Sequence, residues 1–145
     1  MNRPDDKRRS IGLRIGILAR IMRNNFDRKV AVHNVTRSKW TMIAVVSGQP
    51  GSTQRYIAET LEMSEASAGR LVDRLCAEGL LERREREDDR RARAVYLTEA
   101  AKPLLETLAA IAEASEDRIF KDFSEDDLNQ LEGYIDRIYD NVSRD

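Results

Sequence analysis

Two groups of residues in this sequence carry side chains able to do chemistry, and both suit contact rather than catalysis. Ser64, Glu65, Ala66, Ser67 and Arg70 open the run SEASAGRLVDRL. Ser64 is a helix N-cap by type, so the residues after it occupy the first turns of a helix. A helix that enters a DNA major groove offers those positions to base edges. Serine hydroxyls bond either kind of edge or a phosphate, and an arginine forks onto a guanine. Taken alone, the run fits an ordinary helical hairpin in a bundle equally well.

The second group is the run RREREDDRRARAVYLT, residues 83–98. Arg83, Arg84, Arg86, Arg90, Arg91 and Arg93 crowd around one turn. Arginine is drawn to the negative potential of a narrow minor groove. The acids among them fit this role where a carboxylate holds a guanidinium in one pose, as Asp89 could hold Arg91. The plainer alternative is a solvated turn with compensating charges. Thr53 and Gln54, at the start of the short helix before the Ser64 cap, complete the DNA-facing set. Arg86, Asp89, Arg90, Arg91 and Arg93 are its members from the turn.

These side chains need elements to hold them. Ile11, Ile15, Leu18, Met22 and Phe26 recur at three- and four-residue spacing, which predicts an amphipathic helix over 10–31. Thr36 caps a second helix carrying Trp40, Ile43, Ala44 and Val46, ended by Gly48 and Pro50. A short third helix follows Ser52 or Thr53, with Ile57, Ala58 and Leu61 inward. After a break at Glu62-Met63, the Ser64 helix runs to Gly79, placed for a left-handed C-cap. The period then changes from 3.6 to 2: Leu81, Arg83, Glu85 and then Val95, Leu97 predict a two-stranded hairpin. Thr98 opens a further helix, bent or delayed by Pro103. Ser124 caps the last one, whose Leu128, Leu131, Ile135, Ile138 and Val142 fall at spacings of 3, 4, 3 and 4, a heptad-like seam.

Short helix, tight turn, longer helix and hairpin in that order form a winged helix-turn-helix. The fold class is mostly α with a small β-hairpin wing. The chain reads as a single domain over 1–145. Residues 36–98 form its reading head, and 10–35 and 99–145 supply helices for dimerisation. A twofold dimer would present two reading heads to a palindromic site.

Composition narrows the partners. Net charge is -1, with 25 Lys+Arg and 26 Asp+Glu. The first fifty residues carry 11 basic against 3 acidic, and residues 99–145 carry 5 against 13. This asymmetry suggests different partners for the two ends and a local basic surface rather than a nonspecific coat. The start lacks the apolar stretch of a secretory signal, and no apolar run reaches the roughly 20 residues of a membrane span. One cysteine, Cys76, excludes an internal disulfide and suits the cytoplasm. It reads as a small core residue. His33 stands alone and makes a poor metal ligand. No phosphate loop, nucleophile elbow or metal motif occurs, so no enzyme activity, cofactor or metal is expected.

With these residues in place, the chain resembles the MarR family of bacterial regulators, and more narrowly its SlyA-like branch, from about Leu13 to Val142. The specific part is the recognition helix, the D-x-R wing as Asp89-Arg90-Arg91, and the exit LTEAAKPLL. The resemblance implies a homodimeric transcriptional repressor on double-stranded DNA, at an AT-rich palindromic operator. Arg70 would lie in the major groove and Arg91 in the wing. It also implies release by a small aromatic carboxylate, with Arg20, Ser38 and Trp40 lining its site. Two departures stand out. Gly69 replaces a Val, Ser or Thr inside the recognition helix. The first helix also lacks the cysteine of peroxide-sensing members. The alternative from another class is a winged-helix protein-interaction module without specific DNA binding.

Overall fold

The computed structural model describes residues 4–86, 88 and 93–144. The chain divides into two compact units, 1–112 and 113–145.

Helix α1 spans Pro4–Ala31, six residues longer at its start than the apolar pattern predicts. Its first turns carry charged residues and no apolar stripe. Charged residues are adequate helix formers, and acids near a helix start suit its dipole, so α1 forms there without a face to bury. Helix α2 spans Arg37–Gly48, where the Thr36 hydroxyl accepts from the Lys39 amide at 3.3 Å. Strand β1 is Ser52–Thr53, and α3 is Gln54–Thr60, capped by Thr53 through the Tyr56 amide at 3.1 Å. The break after α3 puts Glu62 at φ 53°, while the Met63 amide bonds the Ala58 carbonyl at 2.9 Å. Helix α4 spans Glu65–Ala77, with the Ser64 hydroxyl accepting from the Ser67 amide at 3.0 Å. It ends two residues before Gly79, which sits at φ 79°. There the amides of Gly79 and Leu80 return to the carbonyls of Cys76 and Leu75, both at 2.9 Å. A side chain at that φ would be strained.

Strands β2 (Leu81–Glu85) and β3 (Arg93–Leu97) pair antiparallel, Leu81 opposite Leu97 and Glu85 opposite Arg93. The sheet has three strands rather than the expected two. Its order is β1-β3-β2, with Ser52 opposite Val95 and Thr53 opposite Ala94. Two residues are too short to show a period, so β1 is invisible to pattern reading. On central β3, Ala94 and Val95 are both buried, and Leu97 is half-buried.

Thr98 stands at the start of a single 3-10 turn, Glu99–Ala101, but its hydroxyl donates to the Gly79 carbonyl at 2.6 Å instead of capping. Helix α5 then spans Lys102–Ile119, the delayed start that Pro103 requires. In a first turn the proline removes no intrahelical bond. Helix α6 spans Glu125–Val142, opened by a reciprocal capping box between Ser124 and Asp127. That exchange holds the Asp127 carboxyl below the usual range, chiefly through the Ser124 amide.

Two apolar clusters build the first unit. Met42, Val46, Ile57, Ala58, Ala68, Leu71, Val72, Leu75, Leu81 and Val95 close the reading head, with Cys76 packed against them. Val30, Val35, Ile43 and Leu108 form the other, flanked by Phe26 and Trp40. On α2 it is Met42, not Ala44, that turns inward. Elsewhere apolar side chains stay uncovered. On α1, Ile11, Ile15, Leu18 and Met22 are exposed, and α6 buries nothing: Ile135, Ile138 and Val142 all stand in solvent. Among the described residues, no helix is long and apolar enough to cross a membrane.

Candidate nucleic-acid interface

The exposed start of α4 gathers four of the five polar and small residues singled out from sequence. Ser64, Glu65, Ala66 and Arg70 are exposed, and Ser67 is half-buried. Ser64, Ser67 and Arg70 form a linked chain. The Ser64 hydroxyl donates to Ser67 Oγ at 2.9 Å, and Arg70 Nη2 donates to the same oxygen at 3.1 Å. Ser64 Oγ also carries the cap, so its capacity is largely committed inside the protein. Arg70 has only one of its five donors engaged in this chain, and its fork is the part able to bond a base or phosphate.

Thr53 and Gln54 stand at the start of α3, but their polar groups turn inward. Thr53 Oγ1 caps α3. Gln54 Nε2 donates to the Glu65 carbonyl at 3.1 Å, tying α3 to the first turn of α4.

The arginines of the hairpin divide by face. Arg83 shares its face of β2 with buried Leu81 and reaches back to α4, donating to Asp73 Oδ1 at 2.6 Å and to the Gly69 carbonyl at 3.3 Å. Arg84, on the other face, pairs with Glu82 and lies over the Tyr96 ring, 4.3 Å from its centroid. Arg86 forms a two-pronged bond with Asp88, 2.9 Å on each side. Arg93 is exposed at the first position of β3. Asp89, Arg90 and Arg91 lie outside the described residues. Arg83 is thus a brace between wing strand and recognition helix. The strand alternation puts Arg83 on the face of Leu81, but its partners Asp73 and Gly69 come from α4 and carry no signal in the sequence.

The residues matched to an effector site lie on two helices, Arg20 on α1 and Ser38 and Trp40 on α2. Trp40 packs edge-on to Phe26, centroids 4.8 Å apart, and its indole N–H donates to Asp27 Oδ1 at 2.7 Å. Ser38 Oγ stands 3.3 Å from Thr36 Oγ1. Arg20 is exposed on α1, seven residues before Asp27 and so about 10 Å along the helix axis. The group that does converge there is Asp27 with Arg37, Asn24 and Trp40. Arg37 Nε donates to Asp27 Oδ2 at 2.8 Å and its Nη2 to Asn24 Oδ1 at 2.9 Å. Sequence reading passed over Asp27, although it is the single acid between Lys7 and Ala58.

The hydrogen bond from Arg37 is the main reason that the Asp27 carboxyl sits below its ordinary value; Trp40 adds to it and partial burial opposes it. A lowered carboxylate stabilises the fold above its unfolded pKa, near 3.9, and that contribution is lost as pH falls through the lower folded value. Asp27→Asn should therefore cost about 1 kcal/mol at pH 7 and markedly less at pH 3. Urea unfolding at both pH values measures this; an equal cost at each would refute the charge role.

Among the described residues, no group of His, Cys, Asp or Glu side chains could hold a metal ion.

The fold matches known proteins. A family model described as MarR family matches residues 33–92, from the turn after α1 through α2, β1, α3, α4 and β2, and ends before β3. Among solved structures, transcriptional regulator PA3341 is 24% identical over 93% of this chain and 99% of its own, with TM-score 0.85. The transcriptional regulator SlyA is 26% identical over 92% and 94%, with TM-score 0.74. A Listeria monocytogenes protein described as a MarR-family transcriptional regulator, complexed with 26mer DNA, is 19% identical over 90% and 87%, with TM-score 0.75. The chain has the winged-helix fold of MarR-family transcriptional regulators.

Proposed function

We propose that this chain is a homodimeric, cytoplasmic MarR-family repressor that binds a palindromic, AT-rich operator. The observation that carries it is exposed Arg70, held by half-buried Ser67 on the opening turns of a helix braced to its wing by Arg83. A recognition helix needs both a reading surface and a fixed angle to the wing. Arg70 reads a base edge in the major groove. Arg91 enters the minor groove with Asp89 holding it, and Arg86, Arg90 and Arg93 flank it on the phosphates. Ser64, Glu65, Ala66, Thr53 and Gln54 shape the approach. A small aromatic carboxylate acts as the releasing effector near Arg20, Ser38 and Trp40. Since the Trp40 N–H already serves Asp27, the carboxylate meets a cation and the ring supplies only apolar contact. The SlyA-like exit LTEAAKPLL supports that branch of the family.

The test is binding to DNA upstream of the chain's own gene at several salt concentrations, against scrambled DNA. A clear preference with a steep salt slope is expected. No preference would leave the protein-interaction module, which the acidic last third of the chain favours. Arg91→Ala should weaken operator binding at least tenfold and leave the dimer intact in sizing experiments. Unchanged affinity would remove the wing's minor-groove role. Salicylate at millimolar concentration should loosen the operator complex; an undisturbed complex would count against an aromatic-acid effector of that kind.

A further inference from the structure

Gly69 is the one residue of α4 that breaks the local logic of a helix. It lies in the interior, where glycine weakens a helix relative to alanine, and it is buried. Its surroundings explain the choice. A Cβ built on Gly69 would stand 2.8 Å from Gln54 Nε2 and 3.2 Å from both Gln54 Cδ and Oε1. The first distance is shorter than real Cβ contacts, and the other two are tighter than nearly all of them, so the amide would have to move. The Gln54 amide thus occupies the space that a side chain at 69 would fill, and there it donates to the Glu65 carbonyl at 3.1 Å. On the same residue the Gly69 carbonyl accepts from Arg83 Nη2 at 3.3 Å. The recognition helix is therefore touched at Gly69 by the preceding helix and by the wing strand.

We infer that Gly69 is a positioning residue for DNA recognition: its missing side chain seats the Gln54 amide, and the seated amide sets how α3 crosses α4. The inference rests on the DNA-binding reading above. It also gives Gln54 a role through α4 rather than through a base edge. Only the end of a flexible side chain stands in the way of a Cβ, so a methyl group at 69 evicts the amide and leaves the apolar core intact. The fold survives while the angle of the reading helix changes, and with it the reach of Arg70. Helix crossing angles follow the side chains that interdigitate at the contact, so a lost close approach moves the pair.

The test compares wild type, Gly69→Ala, Gln54→Ala and the double variant as full-length proteins. Thermal melting comes first and needs no DNA. In the Gln54→Ala background, alanine at 69 should raise the melting temperature by about 3 °C, the ordinary gain of alanine over glycine in a helix. In the wild-type background the same change should yield no gain, because the evicted amide loses its bond. An equal rise in both backgrounds overturns the pairing. The second arm uses the duplex that wild type selects from a randomised library. Gly69→Ala should bind it about tenfold more weakly and select a sequence altered at one or two positions. Coupled melting with unaltered affinity and selection would overturn the role in recognition. A wild type that selects no duplex would overturn the regulator reading instead, and the melting result would then decide the Gly69–Gln54 pair by itself.

Discussion

The variant with Ile135→Asp and Ile138→Asp together should be monomeric at micromolar concentration and should bind the operator at least 100-fold more weakly than wild type. The reason is that α6 is amphipathic yet fully buries no residue and leaves the C-terminal part of its apolar seam exposed. Leu128, Leu131, Ile135, Ile138 and Val142 repeat at heptad-like spacing, and the last three are 55%, 43% and 66% exposed. Helix α1 adds Ile11, Ile15, Leu18 and Met22 in the same state. Uncovered apolar stripes of this length mark an interaction surface. Covering an isoleucine is worth about 1.5–3 kcal/mol, and burying an unpaired carboxylate in its place costs more than is lost. A monomer engages one half-site, so it forfeits the second reading head. Sedimentation measures the mass and a titration measures the affinity. A variant that remains dimeric would show that the seam of α6 is not the interface.

Arg70→Ala should weaken operator binding by about 10- to 100-fold, equivalent to about 1–3 kcal/mol, and relax preference at a single base pair of each half-site. Arg70 is exposed, and its hydrogen bond within the protein is to Ser67 Oγ at 3.1 Å. Truncation removes a surface contact, so the melting temperature should stay within about 1 °C of wild type. Selection from a randomised operator library separates a base contact from a phosphate contact. Uniform weakening with no change in preference would reassign Arg70 to the DNA backbone. Ser67→Ala is the companion: it removes the hydroxyl that orients the guanidinium and should show a smaller loss at the same base pair.

The helix boundaries were legible because caps and periods are local. Thr36, Thr53, Ser64 and Ser124 each accept the amide that their type predicts. Gly79 takes the left-handed turn foreseen for it. The departures have local causes as well. Helix α1 starts early because charged residues form helices without displaying an apolar period, and β1 is too short to display any.

Partner choice was not legible. Arg83 and Arg84 look alike in the sequence, one position apart in a charge run. The pleat of β2 sends Arg83 to Asp73 and Gly69, and Arg84 to Glu82 and Tyr96. Likewise Trp40 and Arg37 read as separate features until α1 brings Asp27 between them.

The sequence by itself determined the order of elements, the capped opening of α4 with its exposed Arg70, and the apolar seam of α6. Each depends on residue type and on spacings of two, three or four, which short-range backbone geometry converts directly into faces. Tertiary structure alone decided that Gln54 is seated over Gly69, that Arg83 is a brace, and that Asp27 anchors Trp40. Those are contacts between residues 10 to 15 apart in the chain, made by side chains long enough to choose among several partners. The choice is settled by which backbones approach closely, and no local pattern encodes that distance.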